Sequence, residues 1–245
     1  MTEAEKHRFD AICAEEAYAE GARESIGTYG EKRLHRILKR FYANEAGETE
    51  ASVGSYVADV LRDTEIVEIQ TGSFYPLLPK LTYYLNETPY RVTVVHPILA
   101  EHRILRMDRE TGELLRARRS SRTARPTDLL PELYWIRKLV PNDRLTIRLL
   151  SVSAEELRYS ERMRHRREGA YDSEIFPRAA IEERVFTRLE DYRSLLPEVD
   201  SFSVAEYERL TRLTRRPADR ALRFLCEKDL LTRTQEGRKY IYTKQ

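Results

Sequence analysis

Cysteine is nearly absent from the 245 residues, with only Cys13 and Cys226, and the two lie far apart. That excludes a disulfide framework and a cysteine-rich zinc site, and leads us to expect a reducing, cytoplasmic setting. Long apolar runs are missing too. No stretch approaches eighteen consecutive apolar residues, so no membrane-spanning helix is expected and no membrane partner is assigned. The opening run Met1 to His7 carries no apolar core or cleavage site, so no secretory signal is expected. There is no Walker P-loop, no dinucleotide glycine fingerprint and no His-Glu-x-x-His, and the five histidines lack metal-ligand spacing. Lysine is scarce, with 8 against 35 arginines.

Charge is plentiful, at 34% of residues, and unevenly spread. Residues 1–52 hold 8 basic and 11 acidic groups, residues 101–170 hold 17 and 11, and residues 200–245 hold 11 and 7. Arginine presents a planar fork that pairs with phosphate through two hydrogen bonds, so arginine-rich segments suit a nucleic-acid backbone.

Periodicity divides the chain. Residues 2–25 read as a polar helix with an alanine stripe, interrupted at 26–30. Over 31–42, Leu34, Ile37, Leu38 and Phe41 fall at i, i+3, i+4 and i+7, which predicts an amphipathic helix. Asn44 to Thr49 reads as a loop, Val53 to Leu61 as a strand, and Ile66 to Gln70 as a second strand after a turn at 62–65. A helix is expected over 74–86, an apolar strand from Arg91 to Ile98, and a hairpin over 103–118 turning at Asp108 to Glu113. Arg116 to Arg125 reads as a basic loop, Thr127 to Val140 as a helix and 145–150 as a strand. A basic run covers Arg158 to Arg167. From about 172 the pattern reads as helical up to a terminal hairpin.

Two carboxylates stand inside the apolar strands. Asp59 and Glu68 are flanked by Val57, Val60, Ile66 and Ile69, and burying such charges is costly unless they are paired or bind a cation. If Asp63-Thr64 forms a two-residue turn, Arg62 meets Glu65 and, counting back, Asp59 meets Glu68. Directly opposed residues share a face, with Cβ atoms roughly 4.5–5.5 Å apart. A divalent ion between them turns the repulsion into a binding site.

Asp59 followed nine residues later by Glu68-Ile69-Gln70 resembles the catalytic core of the PD-(D/E)XK nuclease superfamily, in a setting of helix, hairpin, helix and strand over residues 27–100. Glu31, opening the 31–42 helix, occupies the place of the helix acid in resolvase-like members. Ala58 stands where proline is usual, and Gln70 where lysine is usual. Some members carry glutamine there, and in others a lysine migrates to the next helix, where Lys80 is the candidate. The resemblance implies Mg²⁺ (or Mn²⁺) held by Asp59, Glu68, the backbone carbonyl of Ile69 and, for a second ion, Glu31. Gln70 and Lys80 would position water or stabilise the transition state in phosphodiester hydrolysis.

Residues 203–243 resemble a winged helix-turn-helix. Ser203 and Glu206 fit a capping box. Ala218, Ala221, Leu222 and Leu225 then form an apolar face, with Arg215, Arg216, Arg220 and Arg223 on the other side, as a major-groove recognition helix requires. Gln235 to Arg238 reads as the wing. The expectation is therefore an α/β protein: a restriction-endonuclease-like αβββαβ core, then a helical region, then a small winged helix-turn-helix. Its divisions are an N-terminal helix over 1–26, a nuclease-like domain over 27–155, a basic helical connector over 156–198 and the winged helix over 199–245. The expected partner is DNA, contacted through Arg215, Arg216, Arg220, Arg223, Arg238, Arg118, Arg119 and Arg122, and a homodimer would serve double-strand cleavage. The alternative is a non-catalytic DNA-binding regulator or accessory protein on a degenerate nuclease-like scaffold, which Gln70 favours.

Overall fold

A computed structural model describes residues 1–18, 30–44, 47–160 and 173–245. These form a mixed α/β architecture in which strands β1 to β7 belong to one large mixed sheet and β8 to β10 to a second, three-stranded one. Two compact units divide the chain, each from interleaved segments: residues 1–63, 97–124 and 150–183 in the first, and 64–96, 125–149 and 184–245 in the second. Among the described residues, no helix is long and apolar enough to cross a membrane.

In the first unit, α1 (Glu3–Tyr18) begins where Thr2 and Glu5 cap each other reciprocally, Glu5 N donating to Thr2 Oγ1 and Thr2 N to Glu5 Oε2. It buries Phe9, Ile12 and Cys13. Helix α2 (Gly30–Ala43) buries the expected stripe of Leu34, Ile37, Leu38 and Phe41, and the Phe9 and Phe41 rings meet edge to face at 5.4 Å. The strand expected over 53–61 is two strands, β1 (Glu48–Val53) and β2 (Tyr56–Arg62). Gly54-Ser55 closes their hairpin, with Val53 opposite Tyr56 and Gly54 at φ 60°. Glycine meets no Cβ penalty there. Residues 48 and 49, expected in a loop, thus pair with Leu61 and Val60. On β2, Ala58 and Val60 are wholly buried, and Asp59 between them faces the other way.

The hairpin expected over 103–118 forms from the end of β4 (Arg91–Asp108) and β5 (Leu114–Arg119). Asp108 fixes its turn by accepting from Glu110 N and Thr111 N, and Gly112 sits at φ 70°. The basic loop expected from Arg116 is therefore a strand as far as Arg119.

The helical reading beyond residue 172, including the connector over 156–198, is corrected. β6 (Leu145–Ser160) runs to Ser160, β7 (Ser173–Phe186) follows, and a 3-10 stretch covers Leu189–Leu195. Ala, Glu and Arg give 173–186 a helical composition, but Pro177 stands in its middle, where an α-helix would lose a hydrogen bond and clash. Residues 161–172, with most of the Arg158 to Arg167 run, lie outside the described residues, as do residues 19–29 of the expected first helix.

In the second unit, β3 (Glu65–Ile69) passes through α3 (Leu78–Glu87) to the start of β4. The two strands are parallel, with Glu68 level with Val94. A parallel pair requires a crossover connection of this kind and cannot be joined by a tight hairpin. Leu81 and Tyr84 of α3 are buried, as are Val92 and Val94. The helix expected over 127–140 is broken into α4 (Leu130–Leu133) between two 3-10 turns. Farther on, β8 (Ser201–Ser203), α5 (Val204–Thr211), α6 (Arg215–Glu227), β9 (Leu231–Glu236) and β10 (Lys239–Lys244) follow, with sheet order β8-β10-β9. The Ser203/Glu206 capping box opens α5 as expected. Arg212, at φ 60°, ends it.

Candidate active site and nucleic-acid interface

Asp59, in the first unit, lies 3.0 Å through Oδ2 from His35 Nε2 on α2. Thr49 pairs with Val60 and Ala51 with Ala58, so Glu50 is level with Asp59 on the neighbouring strand. Glu50 holds a left-handed backbone, φ 57°, in the middle of β1. For a residue with a Cβ this conformation costs of order 1–3 kcal/mol and concentrates at functional sites. Lys39 Nζ donates to Glu50 Oε1 at 2.8 Å and keeps that carboxyl below the usual range, with Asp59 opposing. His35, Lys39 and Arg40 from α2 line an open cleft of about 900 Å³ with Glu50 and Asp59. Glu31 falls in the first turn of α2, and its side chain lies outside the described part of the structure.

Glu68, in the second unit, is 2% exposed. Lys80 reaches it from α3, Nζ donating to Oε2 at 2.5 Å. A buried carboxylate is expensive to desolvate, and the ammonium compensates it. The backbone after it is held on both sides: Gln70 N donates to Val95 O at 2.9 Å, and His96 Nδ1 donates to Gln70 O at 2.6 Å. Burial drives the His96 pKa below its ordinary value, so the ring is neutral, and it packs edge to face on Phe74 at 5.1 Å. The Gln70 side chain donates to the Ser73 carbonyl at 2.7 Å. Among the described residues, no three His, Cys, Asp or Glu side chains converge as a metal cluster. The oxygen donors named from the sequence are three carboxylates, those of Asp59, Glu68 and Glu31, and the main-chain carbonyl of Ile69.

The expected DNA-contacting arginines fall into distinct environments. Arg118, Arg119, Arg122, Arg216, Arg223 and Arg238 are exposed. Arg215 is exposed but answered by Glu208 at 3.2 Å and Asp219 at 3.4 Å. Arg220 is half-buried and lies over the Trp135 ring at 5.4 Å. Arg137 similarly holds Glu227 on the same helix at 2.9 Å.

A family model described as a domain of unknown function, DUF8091, matches residues 32–187. The chain belongs to this family. The DUF8091 span takes in His35, Asp59, Glu68, Gln70 and Lys80 and both strands of the 103–119 hairpin, and it ends just past β7. The segment from β8 to β10 lies beyond it. An uncharacterized protein of Treponema pallidum (strain Nichols) is 27% identical over 140 residues, which are 56% of this chain and 54% of that protein. The chain thus spans about half the length of the curated relative it matches. No solved structure matches at a significant level.

Two residues of the DUF8091 span escaped the sequence reading. His35 was set aside for lacking metal-ligand spacing, yet it sits on the carboxylate singled out as catalytic. Its only sequence signal is its place on the polar side of α2, one residue past Leu34. Glu50 gave no signal, because a left-handed backbone at glutamate has no signature in composition.

Proposed function

We propose that the chain is a Mg²⁺-dependent DNA nuclease whose C-terminal segment is a winged-helix DNA-binding module. The observation that carries the reading is the buried Glu68 on β3, ion-paired to Lys80 from the helix that links two parallel strands. A restriction-endonuclease-like core places its second acid and a migrated lysine on such elements. On the family resemblance, the metal would be held by Glu68, the Ile69 carbonyl and Asp59, with Glu31 for a second ion, and hard oxygen donors of this kind suit magnesium or manganese. A bound ion of this type polarises a phosphoryl oxygen and acidifies water.

The remaining roles belong to the chain itself. Lys80 supplies an ammonium beside Glu68, where it can stabilise developing negative charge. Gln70, anchored through its backbone by Val95 and His96, offers a side-chain amide that orients water without adding charge. His35 is a positioning residue for the Asp59 carboxylate. The order β8-α5-α6-β9-β10, with β10 central in its sheet, supports the winged-helix reading, and exposed Arg216, Arg223 and Arg238 suit phosphate contacts. The Gln70 side chain, tied to the Ser73 carbonyl, favours a second reading in which the same scaffold binds DNA without cutting it. A panel of duplex, branched and single-stranded DNA incubated with Mg²⁺ or Mn²⁺ separates the two. The nuclease reading requires EDTA-sensitive cleavage of some member, and binding throughout with no cleavage selects the second.

A further inference from the structure

We propose that the β4–β5 hairpin of the first unit is a docking surface for the phosphate backbone of duplex DNA. The inference rests on the reading of the chain as a DNA-binding protein and names the surface that carries the affinity. All six residues of β5 are exposed, Leu114 and Leu115 among them. The register sets Arg103 opposite Arg119 and Arg106 opposite Arg116. Like charges directly opposed across an antiparallel pair disfavour it, and the hairpin carries two such arginine rungs, separated by the Ile104/Arg118 and Leu105/Ala117 pairs. Alternation puts Arg106, Arg116 and Arg118 on one face and Arg103 and Arg119 on the other. Arg103 is answered by Glu155 at 3.3 Å, and that same carboxylate also holds Arg178 at 2.7 Å. Among the described residues, no carboxylate pairs with Arg116, Arg118, Arg119 or Arg122.

This arrangement disfavours the free hairpin and favours a polyanion on it. The residue type and the charge density select the polyanion. Eight arginines and no lysine occur between residues 103 and 125, and the guanidinium fork pairs with phosphate through two hydrogen bonds. A duplex presents one negative charge per roughly 1.7 Å of axis. An acidic strand laid along β5 presents at most one carboxylate per roughly 3.3 Å. Pairing β5 with a second copy of itself would only multiply the repulsion. In the second unit, by contrast, α6 has Arg220 over Trp135 and Arg215 in ion pairs, so it contributes fewer phosphate contacts than its sequence suggests.

The test is a fluorescence-anisotropy titration of a labelled duplex with the full chain in EDTA, at several salt concentrations. The triple variant Arg116→Ala/Arg118→Ala/Arg119→Ala is expected to bind at least tenfold more weakly. Its log–log salt slope should be shallower by about 2 to 3, at about 0.9 per lost contact. The matching Arg→Lys triple should keep the slope, which guards against a folding defect in the alanine variant. Arg116→Gln alone should raise the melting temperature of the free protein by about 1–3 °C, because it removes a repulsive rung. Wild-type binding with an unchanged slope in the alanine triple would overturn the docking surface while leaving the DNA-binding reading intact. A fall in melting temperature for Arg116→Gln would also overturn the proposal. No binding of any DNA by the wild type, with binding of polyglutamate instead, would overturn both the surface and the reading beneath it, in favour of an acidic protein partner.

Discussion

Lys80 Nζ lies 2.5 Å from Glu68 Oε2, joining α3 to the strand that precedes it. The Glu68 side chain is 3% exposed and that of Lys80 19%, so the pair is mostly out of water. Removing one partner of such a pair strands the other charge, and the loss exceeds what the intact pair contributes.

Lys80→Met is therefore expected to destabilise the fold by about 3 kcal/mol. The double variant Glu68→Gln/Lys80→Met should recover most of that, since no bare charge remains. Urea unfolding midpoints of the two variants and the wild type check this. Equal losses in the single and double variants would mean that packing of the lysine stem, not charge compensation, is what matters.

Divalent metal should stabilise the protein. Binding to the native state alone contributes about 2.7 kcal/mol at a hundredfold excess over Kd. Ca²⁺ or Mn²⁺ should therefore raise the melting temperature by several degrees, and Asp59→Asn should remove most of the rise. Differential scanning fluorimetry with and without metal reads it. The same rise in wild type and variant would remove Asp59 from the ligand set.

His96 makes stability pH-dependent with a definite sign. Burial first, against the Gln70 hydrogen bond and the charges of Glu132 and Asp128, lowers its pKa in the folded state. The unfolded chain then binds the proton first, as pH falls below the ordinary histidine value of about 6.5. Stability should fall as pH drops through that region and be fully present above it. In denaturant titrations at pH 7.5 and 5.5, His96→Gln should lose less stability than the wild type between the two. An identical loss would assign the pH dependence elsewhere.

How far the sequence could be read depended on whether local pattern or tertiary context decided each element. The α2 stripe and the Asp108 to Gly112 turn were legible because periodicity and turn chemistry determine them. So was the Asp63-Thr64 connection: β2 ends at Arg62 and β3 begins at Glu65. Lys80 was legible through the family resemblance, as the lysine of the helix that follows the acid. β7 was misread because Ala179, Ala180, Glu182 and Glu183 favour helix locally, while burial of Phe176, Ala180 and Phe186 in a sheet decides the outcome. The contact of Arg220 with Trp135 was invisible, because Trp135 is 85 residues away in the chain and the helical pattern shows only that Arg220 is polar-faced.

The two arginines Arg216 and Arg220 should now behave differently. Arg220→Ala should cost roughly 0.5–1 kcal/mol of stability, the worth of a partly exposed cation–π contact, and leave the salt slope for DNA nearly unchanged. Arg216→Ala should leave stability within about 0.5 kcal/mol and flatten the slope by about 0.9. Thermal melts beside salt-dependent anisotropy distinguish them, and a slope change confined to Arg220→Ala would reverse the assignment.

The most direct measurement is single-turnover cleavage of a bound DNA by the wild type and by Glu68→Gln, with affinity measured under the same conditions in Ca²⁺. The account predicts metal-dependent cleavage by the wild type. It also predicts at least a hundredfold loss in Glu68→Gln, on the order expected when a transition-state-stabilising group is removed, with affinity changed less than about threefold. Cleavage that survives Glu68→Gln would contradict the account, and so would a wild type that binds every DNA offered and cuts none.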